Sequence, residues 1–199
     1  MWGLGRQKKG YYHISPTYLP AGTILQPEKY VGHDDHILLV AQQALDAGVS
    51  ALRLLNLVDD LIRYSQREKG QAWPESIDFP AIVNEVILER VRERAFADRP
   101  RRIGAVFLLA SIDHAERFRA EERGGGGVIV ECSAESARIF KADRSLVRPP
   151  NLHGDIQQEL AQAEQRAHDY WAGDLGSDAR VEVVAEGEVE VLHTLEATE

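Results

Sequence analysis

The period at which apolar residues recur changes once along this chain, and that change limits the fold more than any other feature. An opening run, Tyr11-Tyr12-His13-Ile14-Ser15, alternates as a short strand does, and Pro20 and Gly22 lead out of it in a loop. Helical spacing follows as far as Asp98. Ile37, Leu38, Val40 and Leu45 precede Leu52, Leu55, Val58, Leu61 and Ile62, giving two helices or one bent at Gly48. Asp78 is placed as an N-cap with Pro80 in the first turn, ahead of a stripe of Ile82, Val83, Val86, Ile87 and Val91. Beyond Pro100 the pattern becomes one of strands, at 104–110, 128–132, 137–142, 181–184 and 189–192. The last two are either separate or one strand interrupted at Gly187. Helices are predicted at 113–123, stopped by Gly124-Gly125-Gly126-Gly127, and at 155–171, ending at Gly173. Strand, helices, strand, helix and then several strands is not βαβ alternation. It predicts an α+β fold rather than a doubly wound sheet.

The 199 residues suffice for one domain with a real core, read as 11–199 with a helical insertion at 33–70 after a flexible segment 1–10. The basic start lacks the apolar stretch of a signal peptide, and no run is long enough to span a bilayer. The single Cys132 leaves no intramolecular disulfide and no cysteine-rich zinc site, so the expected compartment is cytoplasmic. A formal charge of −9 argues against holding nucleic acid by general electrostatics. The charge is uneven, however. Arg90, Arg92, Arg94, Arg99, Arg101 and Arg102 crowd together against only Glu93 and Asp98. Such a patch suits a phosphate-bearing ligand, or forms a solvated helix face with local ion pairs.

Several constellations could carry chemistry. The four glycines follow a helix and precede a strand, the reverse of a phosphate loop, and lack its Lys-Ser/Thr pair, so they read as a connector. His33-Asp34-Asp35-His36 is a dense set of metal-capable side chains. A helical His-Asp phosphohydrolase would need further downstream histidines, and an N-cap role for Asp34 or Asp35 is the simpler account. No Gly-x-Ser-x-Gly elbow is present, and Cys132 sits in an apolar strand where a thiol is inert. Alternation sends His13 and Ser15 to one strand face. There His13 is either a half-buried residue satisfied by a backbone carbonyl or a group that hydrogen-bonds a sugar.

Tyr12-His13-Ile14-Ser15 followed by Leu19-Pro20-Ala21-Gly22-Thr23-Ile24-Leu25 resembles the first motif of small bacterial ADP-ribosyltransferases of the rifampin-modifying kind, which begin with Tyr-His and a Gly-Asp-x-Ile-like turn. The stretch from Glu89-Arg90-Val91-Arg92 through Arg101-Arg102-Ile103-Gly104 to Phe107-Leu108 resembles a poorly characterised bacterial family of the same superfamily. The strands near 128–142 and 183–192 are similar to that fold's closing strands. The resemblance implies split antiparallel sheets with packed helices, and NAD as cofactor. By it, His13 would bond the nicotinamide-side ribose, Ser15 or the backbone around it would hold the amide, and Tyr12, Phe107, Arg101 and Arg102 would join the cofactor site, the arginines on the pyrophosphate. Glu188, with Glu190 and Asp143 behind it, would stabilise the oxocarbenium-like ribose.

The leading expectation is therefore an NAD-dependent ADP-ribosyltransferase acting on a protein, nucleic acid or small molecule, with NAD hydrolysis a related outcome. The family usually carries a Tyr or Ser after its second strand, whereas here Phe107-Leu108-Leu109-Ala110-Ser111 carries no Tyr. That departure supports a rival, a non-enzymatic interaction protein on the same scaffold, self-associating through the helices at 37–64. A metal phosphohydrolase at His33, Asp34, Asp35 and His36 is the third reading.

Overall fold

A computed structural model describes residues 10–25, 33–54, 56, 78–151, 155–177 and 179–195. Five strands form one antiparallel sheet: β1 (Tyr11–Ser15), β2 (Ile24–Leu25), β3 (Val106–Leu109), β4 (Val128–Asp143) and β5 (Val181–Leu195). Among the described residues four long helices accompany them: α1 (His33–Asp46), α2 (Phe79–Ala95), α3 (Ile112–Glu122) and α4 (Ile156–Ala172). The class is α+β. Among the described residues the strands make one sheet rather than the split pair the resemblance implied.

That sheet closes on itself. β4 and β5 pair along most of their length, β1 lies on the free edge of β4, and β3 lies on the other edge of β5, with β2 beyond it. Tyr12 opposite Leu109 then joins β1 to β3 and completes a ring of four strands. Alternation divides each strand between the inside and the outside of this ring. Inside, Tyr11, Val106, Leu108, Val130, Cys132, Val183, Ala185, Val189 and Val191 form one buried cluster.

Outside, α2 and α4 cover the sheet. Phe140, Ala142 and Val184 meet Val83, Ile87, Leu88 and Val91 of α2 and Ala163, Ala167, Tyr170 and Trp171 of α4. The Trp171 indole N–H donates to the Leu88 carbonyl at 2.8 Å, satisfying a fully buried donor. The helix starts and stops follow local chemistry. The Asp78 carboxylate accepts from the Ala81 N–H at 3.0 Å, with Pro80 in the first turn. Asp155 accepts from Gln157 and Gln158, and Gly173 ends α4 in the left-handed region at φ 80°. α3 is capped by Ser111.

α1 ends at Asp46, and Gly48 takes φ +67° before the chain turns helical again at 51–54. Ala41, Ala44 and Leu45 are buried against Ile82 and Val86 of α2. Of the expected oligomerisation face 37–64, residues 55 and 57–64 and the side chains of 37–39 lie outside the described residues, as does most of the segment 1–10. The predicted strand pairs at 128–142 and 181–192 are each one strand. β4 carries a bulge between Ser133 and Ser136, and β5 runs through Gly187 at φ 126°, where a side chain would meet the Ser136 and Ala137 backbone. No described helix is long and apolar enough to cross a membrane.

Candidate functional site

His13 lies mid-strand in β1, half-buried, on the inward face with Tyr11 and Ser15. Its Nδ1 is 3.1 Å from the Phe107 carbonyl oxygen. A carbonyl can only accept, so Nδ1 carries the proton and donates across the β1–β3 seam. His13 faces Val130 on β4, and Val130 faces Thr194 on β5. Two strand spacings put His13 and Thr194 roughly 10 Å apart between Cα atoms on one inward row. The Thr194 hydroxyl donates to the Leu19 carbonyl, which ties the loop after β1 over the end of β5. Ser15 is fully buried, and its hydroxyl oxygen accepts from the Thr17 N–H at 3.2 Å. It closes a local turn and is a structural residue, not a group presented to an amide.

Tyr12 points to the opposite face. It stands in an outward row with Glu131 and His193, each the direct cross-strand neighbour of the next. Burial first, then the Glu131 and Asp113 carboxylates, raise the Tyr12 phenol above its ordinary value, so it stays protonated throughout the neutral range. Glu131 and His193 escape sequence reasoning because only the register of three strands brings them to Tyr12. Tyr12 and His13 therefore cannot line one site from the same strand face.

The expected pyrophosphate arginines are occupied. Arg102 is buried, with Nε and Nη2 donating to the two oxygens of Glu85 at 3.0 Å each. Its Nη1 donates to the Tyr170 hydroxyl at 2.6 Å and to Glu182, and that hydroxyl donates to Glu182 at 2.7 Å. Burial opposes the Arg102 charge, but the Glu182 and Glu85 carboxylates outweigh it and hold the guanidinium well above its usual range. Arg102 is a core cation, not a phosphate ligand. Phe107 belongs to the same network, its ring 4.8 Å from the Arg102 guanidinium on the outside of the ring, while only its carbonyl reaches His13. Arg101 is partly exposed, donating to Glu89 at 3.3 Å and to Gln42 of α1.

The acidic candidates fall elsewhere. Glu188 is exposed and faces outward with Glu182 and Glu190, since Val183, Ala185, Val189 and Val191 take the inward positions. It pairs with Ser136, six residues along β4 from the Val130 that faces His13, roughly 15–20 Å at the rise of a strand. The structure thus keeps His13 and Glu188 apart in both position and face. Asp143 accepts from the Ser145 and Arg180 backbone N–H groups at 2.9 and 3.1 Å, a turn-forming role.

Residues 55–197 match the family described as "Protein of unknown function (DUF2441)". The chain belongs to the DUF2441 family. No curated protein matches it. The DUF2441 match takes in α2, β3, α3, β4, α4 and nearly all that follows, including the Arg102 network. It begins after β1, so Tyr12, His13 and Ser15 precede it.

Within this DUF2441 chain no group of three or more His, Cys, Asp or Glu among the described residues could hold a metal. The side chains of His33, Asp34, Asp35 and His36 lie outside the described residues. Cys132 is buried inside the ring, where burial pushes its thiol up to about 12, leaving it protonated and inert as expected.

Proposed function

We propose that the chain is an NAD-dependent ADP-ribosyltransferase whose cofactor site is built around His13. The observation that carries this reading is the Nδ1 bond to the Phe107 carbonyl. It fixes the ring plane and commits Nδ1 as a donor within the fold, and in this reading the ring so held lies against the nicotinamide-side ribose. The resemblance of Tyr12-His13 and the Pro-Gly turn to the first transferase motif supports the same residue. The loop that follows is tied to β5, by Thr194 to Leu19 and by Gly22 and Thr23 to Val191. Breaking the nicotinamide–ribose bond builds positive charge on the sugar, which a nearby carboxylate would stabilise.

A second reading, a scaffold that binds without catalysis, is favoured by one observation: Glu188 and His13 stand on opposite faces. The same experiment separates the two. Thermal unfolding is followed while NAD is titrated, and nicotinamide release is measured in parallel. A transferase is stabilised by about 2.7 kcal/mol at one hundred times its dissociation constant and releases nicotinamide. His13→Ala should reduce that release by about ten-fold or more, the loss of one oriented contact of about 1.4 kcal/mol. Stabilisation without release supports the scaffold, and neither stabilisation nor release removes NAD from consideration.

A further inference from the structure

A shallow, half-open cleft of about 40 Å³ lies between α3 and the start of β5. Leu109, Ala179 and Val181 give it an apolar floor where β3 meets β5. Three guanidinium groups line its walls, from Arg117 on α3, Arg144 in the turn after β4, and Arg180 before β5. Only two carboxylates oppose them. Glu122 lies 3.1 Å from Arg144 and 3.5 Å from Arg180, and Glu121 lies 3.7 Å from Arg180. Arg117 has no ion pair or hydrogen bond with any described residue. The cleft is thus net positive on a chain whose formal charge is −9. Its wall also carries the Phe118 ring, over which the Arg144 and Arg123 guanidiniums lie at 4.6 and 5.9 Å from the centroid. His114 Nδ1 is buried in the same wall with no hydrogen-bond partner among the described residues.

We propose that this cleft binds a small organic anion consisting of a flat apolar group bearing a carboxylate or phosphate. The arginines account for the anion, because guanidinium groups match carboxylate and phosphate oxygens. The apolar floor and the Phe118 side chain in the wall account for the apolar part, because a bare inorganic anion would leave that surface in contact with water. A cation is excluded by the arginines. The inference does not depend on NAD, and the failure of the transferase reading would leave it standing.

The experiment is calorimetric titration of the full chain with phenyl phosphate, benzoate and inorganic phosphate at constant ionic strength. Either aryl anion should bind about ten-fold or more tightly than inorganic phosphate, and which of the two is preferred identifies the head group. Arg117→Ala should weaken the preferred aryl anion by about ten-fold or more while its melting temperature stays that of the wild type, because Arg117 supports no other contact. Phe118→Leu should reduce the preference for the aryl group over inorganic phosphate. Absence of saturable binding, equal affinity for phenyl phosphate and inorganic phosphate, or undiminished binding by Arg117→Ala would each overturn the proposal.

Discussion

The molecule has two arginine-rich regions, and they are built in opposite ways. The first is dense in sequence, from Arg90 to Arg102, and the fold disperses it inward. Arg102 enters the core between Glu85, Tyr170 and Glu182. Arg92 grips both oxygens of Glu89 at 3.0 and 2.7 Å and donates to the carbonyls of Ala97 and Arg99, tying the end of α2 to its loop. Arg99 lies over Phe140, and Arg90 pairs with Glu93, leaving Arg94 exposed. The second is dispersed in sequence, and the fold gathers it at one cleft. Arg117, Arg144 and Arg180 come from three elements and meet over an apolar floor. Charge density along a chain therefore says little about charge density on a surface. What decides is whether carboxylates from distant elements reach the cations first.

The comparison breaks most visibly at Arg102. Replacing it with Met leaves Glu85 and Glu182 buried without their counterion, and unpairing a buried charge costs about 3–5 kcal/mol. Urea denaturation should show a loss of that size. Replacing Arg102, Glu85 and Glu182 together by apolar residues of similar volume should recover most of it, because the desolvation of all three charges is then avoided. A triple variant as unstable as the single one would mean that the network shapes the core through packing.

The same network should respond to alkali. Burial, reinforced by Glu182 and opposed by Arg102, raises the Tyr170 hydroxyl well above 10.0 in the folded chain. Above pH 10 the unfolded chain loses this proton and the folded chain keeps it, so stability falls as pH rises, by about 1.4 kcal/mol per pH unit. Cys132 adds a similar slope from pH 9.0 to about 12, its range between unfolded and folded values. Alkaline unfolding of Tyr170→Phe in a Cys132→Ala background should therefore be shallower than that of Cys132→Ala alone. Equal slopes would show that Tyr170 ionises in the folded state.

What the sequence made legible divides along the same line. Caps and breaks were readable because their causes are local: Asp78 with Pro80, Gly48 and Gly173 all act as their neighbours predict. The α+β class was readable from the change of period. The fate of the charged residues was not. Glu85, Glu89, Arg92 and Arg102 look like surface charges, and their burial depends on partners such as Glu182 and Tyr170 far along the chain. The candidate site shows the same limit. His13 was recognisable as half-buried and bound to a carbonyl, but its separation from Glu188 follows from register, bulge and facing, none of which is written in either segment. The split of β4 into two strands fails because the polar residues at the Ser133–Ser136 bulge interrupt the apolar pattern without ending the pairing, whereas of the two readings of β5 the single strand through Gly187 is the one observed.

A middle-sized effect is expected at Arg101, which bridges the two helices from the edge of the dense region. Its bonds to Glu89 and Gln42 join α2 to α1, yet 41% of its side chain is exposed. Solvent screening holds such a partly exposed pair to about 1 kcal/mol or less. Arg101→Ala should thus destabilise the chain far less than Arg102→Met, and high salt should shrink the difference from wild type further. A loss as large as that of Arg102→Met would place Arg101 in the core network.

The smallest effect on stability belongs to Arg117, and it tests the other side of the comparison. With no partner among the described residues, its guanidinium stands beside Arg144 and Arg180, which already share two carboxylates. Arg117→Ala removes repulsion from those neighbours and forfeits only the packing of its own stem. The two changes are of opposite sign, so urea denaturation should place the variant within about 0.5 kcal/mol of wild type. A clear stabilisation would mean that repulsion among the three arginines is held in place against stability, as expected of a surface kept for an anion. A clear loss would mean instead that Arg117 supports the fold, and the gathered arginines would then resemble the dense ones after all.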